Sequence, residues 1–562
     1  MTLPKFSKPL NNAQTVLTLG LCAIILFKLT QGRFVAASTL SQVVTIAIAT
    51  AAGYALGWFL SPQAKAFRAA IKIALGLWLG STLRNFFNHK PTTFGSAEWA
   101  TLPYLQEHGL IGSSGIRLGG FAANDDVHPI HYTGDRHLLT IAPTRSGKGT
   151  TAIIPNLLTF GDGKSGSVLV LDPKGEDALI TASQRIAMGQ EVHIVDPWDI
   201  ASGGRSSRFN PLDWLDPTDP DITENAMILA DALVFQYNEK DMFWTEEAKA
   251  LLQGYILYVA TDPREADHRH LPRVRDLLLL DGDEMKLLWQ RMLDSEHHIV
   301  VSTGARCLQK EERVLANVIA SAQAQTNFLD SSRLRHSLAA SDFKFEDMKA
   351  KAMSIYLVLP ADRLNAFGRW LRLLIAQSIT VNARNIAIKP AKPILFVLDE
   401  LPALGKLASV ETAFSLMAGF GMQMFAIAQD LGKLKQIYGE GGYESLISNS
   451  GCILYYGSRD KMTAEYFSSL CGVTTVWNLS SAVARAFSTS TGPNGGSSSN
   501  STTSTDTSAA SQRNLAYADE LMRLKPNQQL AFIDAYNPII GVKQPWFADP
   551  ELSAKGVNLH RK

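Results

Sequence analysis

The sequence predicts an α/β fold built on a parallel sheet. Three observations predict it. The stretch HLLTIAPTRSGKGTTAIIPNLLTF, His137 to Phe160, reads as an apolar strand, a tight loop of small residues and a helix. Apolar runs recur at Ser167–Asp172, Glu191–Asp196, Met353–Leu359, Pro393–Leu401, Gly421–Asp430 and Cys452–Tyr456, and helical stretches separate several of them. One of those runs, PILFVLDEL, closes on two acids, Asp399 and Glu400.

The loop comes first in the argument. Successive backbone N–H groups turned inward, followed by the positive end of a helix, make a cradle for an anionic phosphate. Thr144, Arg145, Ser146, Gly147, Lys148, Gly149 and Thr150 line this candidate nucleotide site, with Lys148 reaching the outer phosphates. The pattern departs from the usual phosphate loop at Ala142, where a glycine is customary, and at Gly149, where Ser or Thr is customary. The nearest hydroxyls are Thr150 and Thr151, so Thr150 is the candidate to touch Mg²⁺. An ordinary strand-to-helix turn containing Gly-Lys is the competing reading of the loop alone.

The acids decide between them. A continuous apolar run suits a strand buried on both faces, and its carboxyl end is where open α/β sheets bind ligands. Asp399 is placed to hold Mg²⁺ through water and Glu400 to polarise the attacking water. Gln429, near the end of GMQMFAIAQD, either senses a γ-phosphate or simply hydrogen-bonds a loop. Asp172-Pro-Lys-Gly-Glu176 closes another strand at the same edge, either as a plain turn or beside the nucleotide. With loop and acids in the right order, the chain reads as an NTPase with Mg²⁺ at its site.

Length and composition set bounds. The 562 residues suffice for two or three domains, and a net charge of +1 excludes a bulk basic protein that coats nucleic acid. Cys22, Cys307, Cys452 and Cys471 have no metal-ligand spacing and read as free thiols. Residues 39–60 are uncharged and long enough to cross a bilayer, and 12–30 form a second candidate span. A signal peptide competes for 12–30, but no small-residue cleavage site follows. Lys5 and Lys8 before the spans, with Lys65, Arg68, Lys72 and Arg84 after them, place both ends in the cytosol. A stretch near 66–83 reads as an amphipathic helix on the lipid surface or as a third span. The expectation is a membrane anchor over 1–91 and a multi-pass protein of a bacterial inner membrane, its bulk cytoplasmic.

From Thr92 the composition is that of a soluble domain. A nucleotide-binding domain is expected over 92–214 and 351–562, interrupted by an all-α insertion over 215–350. Ile222–Gln236, Trp244–Ala260, Glu284–Leu293 and the long run Cys307–Phe328 are its expected helices. Arg264, His268, Arg269, His270, Arg273 and Arg275 form a basic cluster there, read as a solvated face or a substrate contact. Residues 488–511 are Ser/Thr/Gly-rich and read as a flexible loop, before a last strand near Gln529–Ile533.

These stretches resemble the TraG/VirD-type coupling proteins of type IV secretion and conjugation. GSAEWAT at Gly95, APTRSGKGT at Ala142, LDPKGED at Leu171, RFNPLDWL at Arg208, FVLDELPALGKL at Phe396 and AIAQDLGKLKQIYG at Ala426 carry the resemblance. It implies a membrane-anchored, RecA-like ATPase with an all-helical domain, a homohexamer that delivers a relaxase–DNA complex, protein effectors or both to the secretion channel. Its implied partners are channel components and the other secretion ATPases. By the same resemblance Lys148 binds phosphate, Asp399 serves Mg²⁺, Glu400 serves hydrolysis and Gln429 senses the nucleotide. An arginine finger expected between Leu401 and Met422 is missing, which leaves Arg459 or Arg145 as candidates in trans. Two rivals remain at this point: an FtsK-like double-stranded DNA pump, and a passive nucleotide-binding substrate receptor.

Overall fold

A computed structural model describes residues 92–234, 242–492 and 495–559, without the side chains of 477–509. The stretches near 12–30, 39–60 and 66–83 lie outside the described residues. Among the described residues no helix is long and apolar enough to cross a membrane, and this corrects the multi-pass inner-membrane localisation expected above. The longest helices, Met242–Thr261 and Leu364–Arg384, carry Glu246, Glu247 and Lys249 or Arg369, Arg372 and Arg384, and each buries a large part of its length.

The chain divides into two compact units, Thr93–Thr475 with Ser511–Lys562, and Met1–Thr92 with Val476–Ala510. The first holds an 11-stranded sheet. In chain order its strands are β1 (Ile116–Ala123), β2 (Asp126–Tyr132), β3 (His137–Ile141), β4 (Val168–Asp172), β5 (Glu191–Val195), β6 (Met353–Val358), β7 (Ile394–Leu398), β8 (Met422–Ala428) and β9 (Ser450–Tyr455). Strands β10 (Val473–Gly492) and β11 (Gly495–Asn514) form a sheet of two, and β12 (Gln528–Ile533) and β13 (Ile539–Val542) return to the large one.

The large sheet is mixed, not wholly parallel as expected. Strands β9, β3, β8, β7, β4, β6 and β5 run parallel in that order. Antiparallel β12, β13, β1 and β2 then extend it from β9. A parallel neighbour needs a crossover helix, whereas β1–β2 and β12–β13 are joined by short turns that permit only antiparallel pairing. The composition also predicts a loop over 488–511, where the structure has β11 and the end of β10. A two-stranded ladder pairs backbone groups and needs no apolar side chain, and the β-branched threonines of this stretch suit extended backbone.

Continuous apolar runs arise because each central strand feeds two cores. Leu139, Ile141, Leu169, Leu171, Phe396, Leu398, Met424 and Ala426 face one layer. Leu138, Val168, Val170, Leu395, Val397, Phe425 and Ile427 face the other. The first layer receives the helices between β5 and β6: Ile222–Leu233, Met242–Thr261, Leu271–Leu278, Gly282–Leu293, His298–Gln309, Glu312–Thr326 and Ser332–Ser337. The single run expected over Cys307–Phe328 is broken, because Lys310 and Glu311 adopt extended ψ values of 142° and 130°. Lys310 is held there by an ion pair to Glu247. Local caps start these helices: Asp281 accepts from the N–H groups of Asp283 and Glu284, and His270 from that of Arg273.

Candidate nucleotide-binding site

Register brings the predicted residues to one edge. Ile141 lies opposite both Ala428 and Tyr455, and Leu171 opposite Leu398. The segments after β3, β4, β7 and β8 therefore leave the sheet side by side, at the carboxyl edge where such sheets bind ligands. Ala142 continues the ladder through its N–H to the Ala428 carbonyl at 2.8 Å.

The loop after β3 turns by two left-handed residues, Arg145 (φ 62°) and Gly147 (φ 88°). At Gly147 the nearest atom to an added Cβ is 3.7 Å away, so backbone conformation rather than crowding selects glycine there. A Cβ at Gly149 would meet nothing within 4 Å, so packing does not demand glycine at that departure from the usual loop. The following helix opens with a wide turn, Gly149–Ile153, and continues as Ile154–Thr159. Thr150 and Thr151 both donate to the Gly147 carbonyl, at 3.1 and 2.8 Å, and the Thr151 hydroxyl meets the Tyr456 hydroxyl at 3.0 Å.

The Lys148 ammonium donates to the Asp399 carbonyl at 2.8 Å across 251 positions of sequence. It lies 3.0 Å from Asp399 Oδ1 and 3.4 Å from Glu400 Oε2. Asp399 Oδ1 is buried and receives no hydrogen bond despite that close cation. Gln429 Nε2 donates to both Glu400 oxygens, at 3.3 and 3.4 Å. Lys148, Asp399, Glu400 and Gln429 thus share one cleft of about 840 Å³ with Thr144, Arg145, Gly147, Gly149 and Thr150. Ser146, in the same loop, is not part of the lining.

Asp172, Lys174, Glu176 and Asp177 form a further side of the cleft. Asp172 accepts from the N–H groups of Lys174, Gly175 and Ala178, at 3.1, 2.7 and 2.9 Å, which fixes the turn after β4. Burial raises its pKa to about 6, against the opposing effect of those bonds. Burial, and then the Asp172 and Asp399 charges, push Asp177 well above the ordinary carboxylate range.

An oxygen-lined cation fits this chemistry. The unbonded Asp399 Oδ1 offers one carboxylate ligand, and Thr150 keeps hydroxyl lone pairs beside the loop. Among the described residues no group of three His, Cys, Asp or Glu side chains could hold a metal. Mg²⁺ takes one or two carboxylates and completes its shell with phosphate and water.

Other expected residues stand elsewhere. Arg459 is exposed just beyond β9 and outside the cleft lining, while Arg145 is exposed within it. In the basic cluster Arg264 pairs with Asp262, Arg273 with Glu265 and Arg275 with Asp330, so much of its charge is neutralised inside the fold. Cys307, Cys452 and Cys471 are free and buried. A second cavity of about 640 Å³, between Ile222–Leu233, Met242–Thr261 and Leu364–Arg384, is mainly apolar and shares no residue with the first. No local pattern in the sequence marks Trp546, Phe547, Asn558 and Leu559, which wall the nucleotide cleft from far along the chain.

A family model described as "Type IV secretory system Conjugative DNA transfer" matches residues 101–561. A conjugal transfer protein TraG of Escherichia coli is 25% identical over 511 residues, 82% of this chain and 78% of its own. The VirD4 protein of Rhizobium radiobacter is 27% identical over 417 residues, 72% of this chain and 58% of its own. Among solved structures, the bacterial conjugative coupling protein TrwBdeltaN70, unbound, is similar at a TM-score of 0.57 and 16% identity, covering 81% of this chain and 97% of its own. TrwB in complex with ADP and Mg²⁺ gives 0.59 at 14% identity, covering 80% and 94%. These structural likenesses speak for the fold.

Proposed function

The chain belongs to the type IV secretory system conjugative DNA transfer family, and from that premise we propose that it is the ATP-driven coupling protein of such a system. It takes ATP with Mg²⁺ in a RecA-like domain and delivers DNA, as a relaxase–DNA complex or with protein effectors, to the secretion channel. The observation that carries this reading is the meeting of Lys148 with Asp399 and Glu400 at one sheet edge. TrwB has been solved with a non-hydrolysable ATP analogue as well as with ADP and Mg²⁺, which supports the choice of ligands.

The residues divide the work by position. Backbone N–H groups of Thr144–Gly149 and the helix start at Gly149 cradle the phosphates. All three close contacts of the Lys148 ammonium are to Asp399 and Glu400. An arriving phosphate must therefore exchange with them, which frees the acids as the nucleotide seats. Asp399 and Thr150 would hold Mg²⁺, which when bound neutralises charge on the outer phosphates. Glu400 orients and polarises water, and Gln429, bonded to it, moves with it. That bond gives the site a way to report on the γ-phosphate, as coupling requires. Assembly as a homohexamer, with secretion-channel components and the other secretion ATPases as partners, belongs to the same proposal.

Lys148→Ala in the full chain tests it. ATP turnover should fall by roughly 10²–10³-fold, as when one preorganised charge-stabilising donor is lost, and conjugative transfer should stop. Turnover at the original rate in that variant would end the motor reading.

A further inference from the structure

Packed on the helix that follows the phosphate loop, residues 545–559 contribute Trp546, Phe547, Asn558 and Leu559 to the wall of the cleft. Three contacts clamp this segment to the body of the domain. Trp546 is 3% exposed and packs with Ile154, Leu158, Ile180 and Leu552. Asp549 takes a 2.6 Å ion pair from Arg117, both side chains largely buried, and caps the helix Pro550–Lys555. The Val557 N–H donates to the Ile180 carbonyl at 3.0 Å.

Phe547 sits between the first two clamps yet stays out of the core. It is 52% exposed, its ring 5.9 Å from that of Trp546 at an angle of 80°. With Ile180, Asn558 and Leu559 it lines the same cleft as Lys148. An aromatic ring on a clamped segment, left half open beside a phosphate cradle, suits one further ligand surface, the flat face of a nucleobase.

We propose that Phe547 is the stacking platform for the base of the bound nucleoside triphosphate, with Ile180 and Leu559 closing the apolar edge. This rests on the nucleotide-binding reading above and adds the end of the ligand that the phosphate loop does not touch. Stacking draws on the π-face common to every base. Phe547 therefore contributes affinity for ATP and GTP alike rather than a choice between them.

The test compares ATP, GTP and inorganic triphosphate binding to the full chain by calorimetry. In Phe547→Ala both nucleotides should bind about ten-fold more weakly, a loss of about 1.4 kcal/mol, while triphosphate is unaffected. Phe547→Tyr should restore the original affinities, and Lys148→Ala should weaken all three ligands. Unchanged ATP affinity in Phe547→Ala overturns the platform, as does a parallel loss of triphosphate, which would mean the wall only shapes the phosphate end. If the unaltered chain binds neither ATP nor triphosphate, the nucleotide reading itself falls, and the platform with it.

Discussion

His137 opens β3, the strand that carries the phosphate loop, and its ring joins three elements. Nε2 donates to the Ala413 carbonyl at 2.9 Å, and Nδ1 accepts the Met424 N–H at 3.1 Å. Only a neutral imidazole protonated on Nε2 satisfies both bonds. Burial, which outweighs the bond to Ala413, lowers its pKa to about 4. The folded value lies below the unfolded one, so the full stability is present above about pH 6.5 and is lost as pH falls towards 4. The loss amounts to about 3 kcal/mol at its limit. Asp172, raised to about 6, acts in the opposite sense, so the effect is read as a difference between proteins. In urea unfolding, the stability gap between the original chain and His137→Gln should shrink between pH 7 and pH 4.5. An imidazole that titrates near 6.5 by NMR would contradict this. Lys148, Asp399, Glu400 and Gln429 were legible in the sequence because each ends or follows an apolar strand, where the backbone itself fixes direction. Asp177 and Phe547 were not, because only tertiary packing brings them to the cleft.

The strands that carry the site were legible for a related reason. A strand buried on both faces is apolar throughout, and β3, β4, β6, β7, β8 and β9 are buried at every position. β1 and β2 are partly exposed and broken by glycine or proline, so their pattern fades into that of a loop. The helix after β4, Glu176–Ala187, shows how the elements are then locked. Its Arg185 is fully buried with no carboxylate among its hydrogen-bond partners. The guanidinium donates to Ser354 Oγ at 2.8 Å, the Gly166 carbonyl at 3.0 Å and Gln190 Oε1 at 2.6 Å. It also reaches the carbonyls of Leu157 and Phe160, where the phosphate-loop helix ends. A lysine cannot span these acceptors, since its donors radiate from one nitrogen. Arg185→Lys should cost about 3 kcal/mol or more, because several buried acceptors lose their donor. An unfolding free energy from urea titration lowered by less than a third of that would show that water or neighbouring groups replace the fork.

At the scale of the whole molecule, turnover in a ring would draw on a neighbour. Of the two candidate arginines, Arg459 is exposed beyond β9 and outside the cleft lining, whereas Arg145 lines the cleft of its own chain, so a finger acting in trans is tested first at Arg459. Arg459→Ala should be slow alone, and Lys148→Ala inactive alone. Mixed, they should recover part of the activity, because a sound site in one copy then meets a sound arginine in the next. A mixture no more active than its components would assign the finger elsewhere.

The 251 positions that separate Lys148 from the Asp399 carbonyl it binds also set a schedule for synthesis. A ribosome that has released the phosphate loop has yet to make the acids, and the aromatic wall follows well over a hundred codons later. The newborn chain therefore cannot close the loop onto its acids until the ribosome has passed Glu400, and the phosphate cradle waits half-built for those 251 codons.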